Sequence, residues 1–281
     1  MTKYKVLLYA GVCVALLLTI VLAVFLMLRF PFGNAGIPGA FAEDTATKGT
    51  TLPPPTENVF TPKDFAYDGD YLTCLTDESI LGIDVSRYQG EIDWNQVKAA
   101  GVEFVMIRIG LRGYGSSGVL CEDTLAQENY KGAKEAGLKV GGYFFSQAIS
   151  VEEAIEEAHY AMEIADGWEL DMPLVYDWEC LADDYRTVSV NARLLTDCTK
   201  AFCDTVAEAG YDPMIYFNPS QSRKQMYLEE LTEYGFWLAM YSEEMNYPYK
   251  VDMWQYTNKG SVPGIKGDVD INLFFPYETA A

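Results

Sequence analysis

Residues Pro173–Glu179 read PLVYDWE: a four-residue apolar run, Pro173–Tyr176, closed by Asp177-Trp178-Glu179. The run is too short for a helix and carries a β-branched and an aromatic residue, so it reads as a buried strand. Side chains two apart on a strand share a face, about 6.5–7 Å apart at Cα, so Asp177 and Glu179 emerge together where this strand ends.

Runs of the same kind recur on both sides, at 80–85 (ILGIDV), 103–109 (EFVMIRI), 139–145 (KVGGYFF), 212–217 (DPMIYF), 236–241 (FWLAMY), 251–256 (VDMWQY) and 269–274 (VDINLF). Helical patterns lie between them at 94–100, 124–136, 151–166, 189–210 and 219–234, the third with apolar residues at Val151, Ala154, Ile155, Ala158, Ala161, Met162 and Ala165. Strands alternating with helices predict an α/β domain over 80–281, an irregular (β/α) barrel with eight strands and about five helices. The connection from Tyr256 to Val269 contains Gly260, Pro263, Gly264 and Gly267 and no helical period. Parallel neighbours need a crossover, so the last strand is expected to run antiparallel and to start at the rim where the others finish.

Upstream of this domain, Val6–Leu28 is a 23-residue stretch without a charged side chain. That length spans roughly 30 Å of hydrocarbon and exceeds the roughly 7–15 apolar residues of a cleavable signal. It reads as a transmembrane anchor closing a segment 1–29; removal as a secretion signal, at Gly33-Asn34-Ala35, is the alternative. Lys3 and Lys5 precede the span and only Arg29 closely follows it, which places the N-terminus inside and the rest outside. Residues 30–79 form a stalk, rich in Pro to about residue 60, and an aromatic lead-in with Phe60, Phe65, Tyr67 and Tyr71.

The chain has 20 Lys+Arg, 41 Asp+Glu and one histidine, for a net charge of -21. Only Lys3, Lys5 and Arg29 precede residue 30, leaving 17 basic and 41 acidic residues outside. A nucleic-acid partner is excluded, since it demands a basic face. Long-range attraction to any anionic polymer is not expected either, so added salt should help or do little. The lone His159 sits in a helical pattern among acids and does not make a multi-histidine metal site; no metal and no cofactor are expected. Five cysteines follow the span, an odd number without a Cys-x-x-Cys.

Hydrolytic chemistry must therefore rest on carboxylates. Barrel enzymes keep their chemistry at the rim where the strands end. Asp84 lies near the end of the first strand, Asp177 and Glu179 close the fourth, and Asp270 opens the antiparallel last strand at the same rim. Neighbouring carboxylates repel, so one holds its proton near neutrality. A proton donor beside a carboxylate is what cleavage of a glycosidic bond needs. Aromatics gather at the same ends: Tyr88, Tyr143, Tyr176, Trp178, Tyr216, Trp237, Tyr241, Trp254 and Tyr256. Rings suit the apolar faces of sugars, and about half of this set is expected to be ordinary core. Glu152, Glu153, Glu156 and Glu157 read as a solvated helix face.

From Leu81 to Phe275 the chain resembles glycoside hydrolase family 25, the Chalaropsis-type lysozymes. The resemblance runs through Gly82-Ile83-Asp84-Val85-Ser86, Gln89-Gly90, Ile92-Asp93-Trp94, Phe104–Gly110, Arg112-Gly113-Tyr114-Gly115, Gly141–Phe145, Pro173–Glu179, Ile215-Tyr216, Trp237-Leu238-Ala239, Trp254-Gln255-Tyr256 and Val269–Asn272. It implies a β/α barrel with fewer than eight helices. It also implies hydrolysis of the β-1,4 bond between N-acetylmuramic acid and N-acetylglucosamine in peptidoglycan glycan strands. By matched position Glu179 is the proton donor and Asp177 its partner, Asp84 and Asp270 hold the charge of the site, and Tyr143, Tyr216, Trp237, Tyr241 and Gln255 line the cleft. Phe144 stands where many relatives carry histidine, a departure expected to alter a substrate contact.

Two other readings compete. A catalytically inactive wall-binding protein on the same fold is disfavoured by the presence of all four acids. A metal-dependent deacetylase needs more histidines, and a chitinase of the other acid-rich barrel type needs an Asp-x-x-Asp-x-Asp-x-Glu run that Leu170–Glu179 lacks.

Overall fold

Strands with large apolar side chains on both faces need cover on both sides, and here they obtain it by closing into a barrel and packing helices around it. The computed structural model describes residues 52–180 and 186–276. A hairpin of β1 (Phe65–Asp68) and β2 (Tyr71–Cys74) precedes the barrel. The barrel strands are β3 (Ile80–Val85), β4 (Phe104–Arg112), β6 (Lys139–Ser146), β7 (Leu174–Trp178), β8 (Pro213–Phe217), β9 (Gly235–Ala239), β10 (Met253–Gly260) and β11 (Val269–Phe274). Short β5 (Leu120–Glu122) pairs with the far end of β4. The order β3-β11-β10-β9-β8-β7-β6-β4 is closed by pairing of β3 with β4. All neighbours are parallel except β11, which is antiparallel to both β10 and β3, as the helix-free connection predicts.

Among the described residues five α-helices surround the barrel: α1 (Trp94–Ala99), α2 (Ala126–Glu135), α3 (Val151–Ile164), α4 (Ala192–Glu208) and α5 (Pro219–Lys224). Side chains start them where the sequence supplies an oxygen. Ser150 accepts from the Glu153 amide and Asn191 from the Leu194 amide. The helix expected over 219–234 ends at Lys224. The Tyr227 amide is taken by the Thr196 hydroxyl at 3.0 Å, so the chain leaves the helical path to seat Met226, Leu228 and Leu231 in the core.

Alternation along the strands sorts the side chains into two apolar sets. Ile80, Phe104, Met106, Val175, Met214, Trp237, Met253 and Phe274 plug the barrel interior. Ile83, Val105, Ile107, Tyr176, Trp178 and Phe217 face outward into the layer shared with Ala154, Ala158, Leu195 and Phe202 of the helices. Two glycines make room for the plug: a Cβ on Gly82 would lie 2.2 Å from the Phe104 ring, and one on Gly141 2.6 Å from Met106.

The segment before β3 is bound to the barrel. The Lys250 amide donates to Thr56 O, the Asn58 amide to Pro248 O, Phe60 packs tilted against Phe275, and Phe65 meets Trp254 edge to face. The hairpin was not expected from the sequence, nor was β5. Among the described residues no helix is long and apolar enough to cross a membrane. The span read over residues 6–28 lies outside those residues, as do residues 30–51 of the stalk. The five cysteines after the span are unpaired.

The acidic face of α3 needs correction. Glu152 and Glu156 are exposed, but Glu157 is fully buried. It accepts from Arg112 Nε at 2.7 Å and from the Ser146 hydroxyl, and burial raises its carboxyl to about 7 against both. His159 is exposed on the same helix.

Candidate active site

Going up the barrel, polar residues replace the apolar plug within one alternation. On β7 Val175 is followed on the same face by Asp177 and then Glu179; on β3 Gly82 by Asp84; on β4 Met106 by Arg108; on β8 Met214 by Tyr216; on β10 Met253 by Gln255. On β11 the order is reversed, Asp270, Asn272, Phe274, because that strand descends. Asp270 is thereby the direct cross-strand partner of Asp84. The result is a cavity of about 260 Å³ lined by Asp84, Asp177, Glu179, Asp270, Tyr143, Tyr216, Trp237, Tyr241 and Gln255. The four acids and the five cleft residues named by the resemblance all line this one cavity.

Hydrogen bonds fix one side of it. Asp84 Oδ2 accepts from Gln255 Nε2 and Asn272 Nδ2, both at 2.8 Å. The amides are oriented in turn: Gln255 Oε1 accepts from the Tyr216 and Tyr241 hydroxyls at 3.0 and 3.2 Å, and Asn272 Oδ1 accepts from Trp237 Nε1 at 2.8 Å. Asp177 Oδ1, by contrast, is buried without a partner among the described residues.

Asp84 and Asp177 are 7% and 5% exposed; Glu179 and Asp270 are half-buried at the mouth. All four carboxyls are held above their ordinary range. Burial raises Asp84, with repulsion from Asp270 adding to it and the two amides opposing. Burial raises Asp177, followed by Glu179 and Asp84, against Arg108. Burial and then Asp270 raise Glu179, and burial brings Asp270 to about 6. Four mutually repelling acids in one cavity titrate as a set and retain protons past the usual carboxylate range.

Of the nine aromatics at strand ends, Tyr88, Tyr143, Tyr216, Trp237 and Tyr241 line the cavity. Tyr176, Trp178, Trp254 and Tyr256 pack in the outer layer. Tyr88 is 69% exposed, with the Arg87 and Arg108 guanidiniums 5.3 and 5.1 Å from its ring centre. Phe144 is corrected: it is fully buried against Tyr160 on the outer face of β6, and its neighbours Tyr143 and Phe145 line the cavity instead. It makes no contact from which to alter substrate binding. Arg108 and Phe145 escaped the sequence reading. Arg108 had a signal, a charge inside the apolar run FVMIRIG; Asp123, only 1% exposed, pairs with it at 2.6 Å. Phe145 had another, standing two residues after Tyr143.

The profile of "Glycosyl hydrolases family 25" matches residues 83–265, well over half of the chain. The chain belongs to this family. It thereby joins the glycoside hydrolases. Relatives include the autolytic lysozyme of Clostridium acetobutylicum, 28% identical over 194 residues, covering 69% of this chain and 55% of that protein. Lysozyme M1 of Streptomyces globisporus is 27% identical, covering 69% and 67%. Among solved structures, the modular autolysin LytC from Streptococcus pneumoniae in complex with a synthetic peptidoglycan ligand is 25% identical with a TM-score of 0.62, over 70% of this chain and 47% of that one. The bacterial lysozyme from Streptomyces coelicolor is 26% identical with a TM-score of 0.55, over 72% and 94%. The chain thus spans about half the length of the clostridial lysozyme and of LytC.

Proposed function

We propose that this protein is an N-acetylmuramidase that hydrolyses the β-1,4 bond between N-acetylmuramic acid and N-acetylglucosamine in peptidoglycan. The observation that carries the proposal is the convergence of Asp84, Asp177, Glu179 and Asp270 in one aromatic-lined cavity. The lysozyme relatives and the peptidoglycan complex of LytC support the choice of polymer.

Glu179, at the mouth, gives its proton to the leaving glycosidic oxygen as the bond breaks. Asp177, beneath it, stabilises the oxocarbenium-like state or orients the substrate's acetamido group. Water completes the hydrolysis, and Glu179 recovers its proton from it. Asp84 and Asp270 hold the charge of the site. Tyr143, Tyr216, Trp237 and Tyr241 offer ring faces, and Gln255 hydrogen-bonding groups, to the sugars. Glu179→Gln should lower lysis of purified peptidoglycan about 10³–10⁴-fold in a folded protein. Mass spectrometry of fragments released by the unaltered enzyme should show muramic acid at the reducing end. Undiminished activity of the variant, or glucosamine at the reducing end, would refute the assignment.

The proposal extends to place. Residues 1–29 form a cytoplasmic tip and single membrane span, 30–79 a stalk and lead-in, and 80–281 the catalytic domain outside the cell. The uncharged span 6–28 and the lysines before it support this arrangement. Protease added to intact protoplasts should remove the catalytic domain; full protection would contradict the orientation, and release into the medium would favour signal cleavage.

A further inference from the structure

Glu179 stands one residue beyond β7 and has no strand partner to fix its backbone. Two glutamine side chains hold this stretch instead. Gln147 Nε2 donates to Glu179 O at 2.5 Å and to Ser146 O at 2.9 Å. Gln221 Nε2, from α5, donates to Trp178 O at 2.7 Å. The Trp178 indole in turn donates to Ala148 O at 2.9 Å. Gln147 is fully buried and does not line the cavity. Both its N–H groups are used, whereas its Oε1 is buried without a partner among the described residues. The opposite orientation would set that oxygen against two carbonyls. A buried amide with an orphaned acceptor is kept at some expense of stability, which points to work done by its donors.

The turn that carries Gln147 is anchored from behind. Ser146 Oγ donates to Glu157 Oε2, the Gln147 amide to Glu157 Oε1 at 3.4 Å, and the Ala148 amide to Ser146 Oγ at 3.1 Å. Glu157 is held by Arg112 Nε at 2.7 Å, and Arg112 by Gly118 O and Glu156. An apolar packing of equal volume would serve stability as well as a buried ion pair does. What the pair adds is direction: it fixes the turn from which Gln147 reaches the backbone of Glu179.

We propose that Gln147, held in place by the buried Glu157–Arg112 pair, is a positioning residue that sets the backbone of Glu179 and so the reach of its carboxyl into the cleft. The proposal rests on the reading of Glu179 as the proton donor. Misplacement of a reacting group by about 1 Å can lower a rate on the order of 10²-fold. In the full chain, acting on soluble, defined peptidoglycan oligosaccharides well below the melting temperature, Gln147→Leu should lower kcat about 10–100-fold with KM within about twofold. Glu157→Gln keeps an acceptor for Ser146 but weakens the anchor, so it should show the same kcat-only defect at smaller size, and it serves if Gln147→Leu does not fold. A kcat within about twofold of the unaltered enzyme, or a loss carried by KM, overturns the proposal. Glu179→Gln in the same assay separates the two claims. If it is inactive while Gln147→Leu is fully active, only the positioning role falls; if it is active, the proton-donor reading falls and takes the positioning role with it.

Discussion

The two sides of the cavity treat a carboxylate in opposite ways. Where β3, β10 and β11 meet, Asp84 is gripped by two amide donors, and Trp237, Tyr216 and Tyr241 aim those amides. On the β7 side, Asp177 Oδ1 has no partner among the described residues and Glu179 stands beyond the strand at the mouth. N–H donors stabilise the ionised form, and their lack favours the protonated one. The two amides on Asp84 therefore oppose the burial that raises it, whereas among the described residues no such donor reaches Asp177 Oδ1. Residue type does not divide the work among three aspartates and a glutamate; hydrogen-bond supply does.

Substitutions can break or sharpen this contrast. After Glu179→Gln, the largest effect is expected from Asp177→Asn, about 10²–10³-fold in kcat with the protein folded, measured on defined glycan oligosaccharides. Activity near that of the unaltered enzyme would make the β7 side a single-acid site. Asn272→Leu strikes the opposite side. Asp84 loses a donor, Trp237 Nε1 loses its acceptor, and stability should fall by about 1–3 kcal/mol in denaturant unfolding. With less support for the Asp84 anion, the acid limb of the pH–rate profile should move to higher pH, and an unmoved limb would show that the amides do not set that charge.

Asp270→Asn gives the smallest change in rate and the clearest change in pH dependence. Removing its charge eases ionisation of Glu179, so the alkaline limb should move to lower pH. The stability effect has a definite sign. Asp270 is raised from 3.8 to about 6 on folding, so its contribution is full below 3.8 and is lost as pH rises through about 6. The variant should accordingly be more stable than the unaltered protein at pH 8, by about 1–3 kcal/mol, and equal to it near pH 3.5. Equal melting temperatures at pH 8 would show that Asp270 ionises there without penalty.

The legibility of the molecule divides along physical lines. Local pattern carried the barrel: PLVYDWE announced both its buried face and its two acids, and the glycines and proline between Tyr256 and Val269 implied the antiparallel return that delivers Asp270 to Asp84. What escaped depends on partners distant in sequence. The helix at 219–234 is cut short by a hydroxyl on α4. Glu157 looked like its solvated neighbours, and only Arg112 and Ser146 explain its burial. Phe144 was placed one face wrong because its matched position carried more weight than the alternation that puts Tyr143 and Phe145 in the cavity.

The central claim is that Glu179 keeps its proton beyond the ordinary glutamate range. Carbon-13 NMR of the side-chain carboxyls, followed from pH 3 to 9 in the unaltered protein and in Glu179→Gln, reads this directly. The expected result is a resonance still titrating above the ordinary glutamate value of 4.5 and absent from the variant. Complete ionisation of Glu179 below that value would contradict the account.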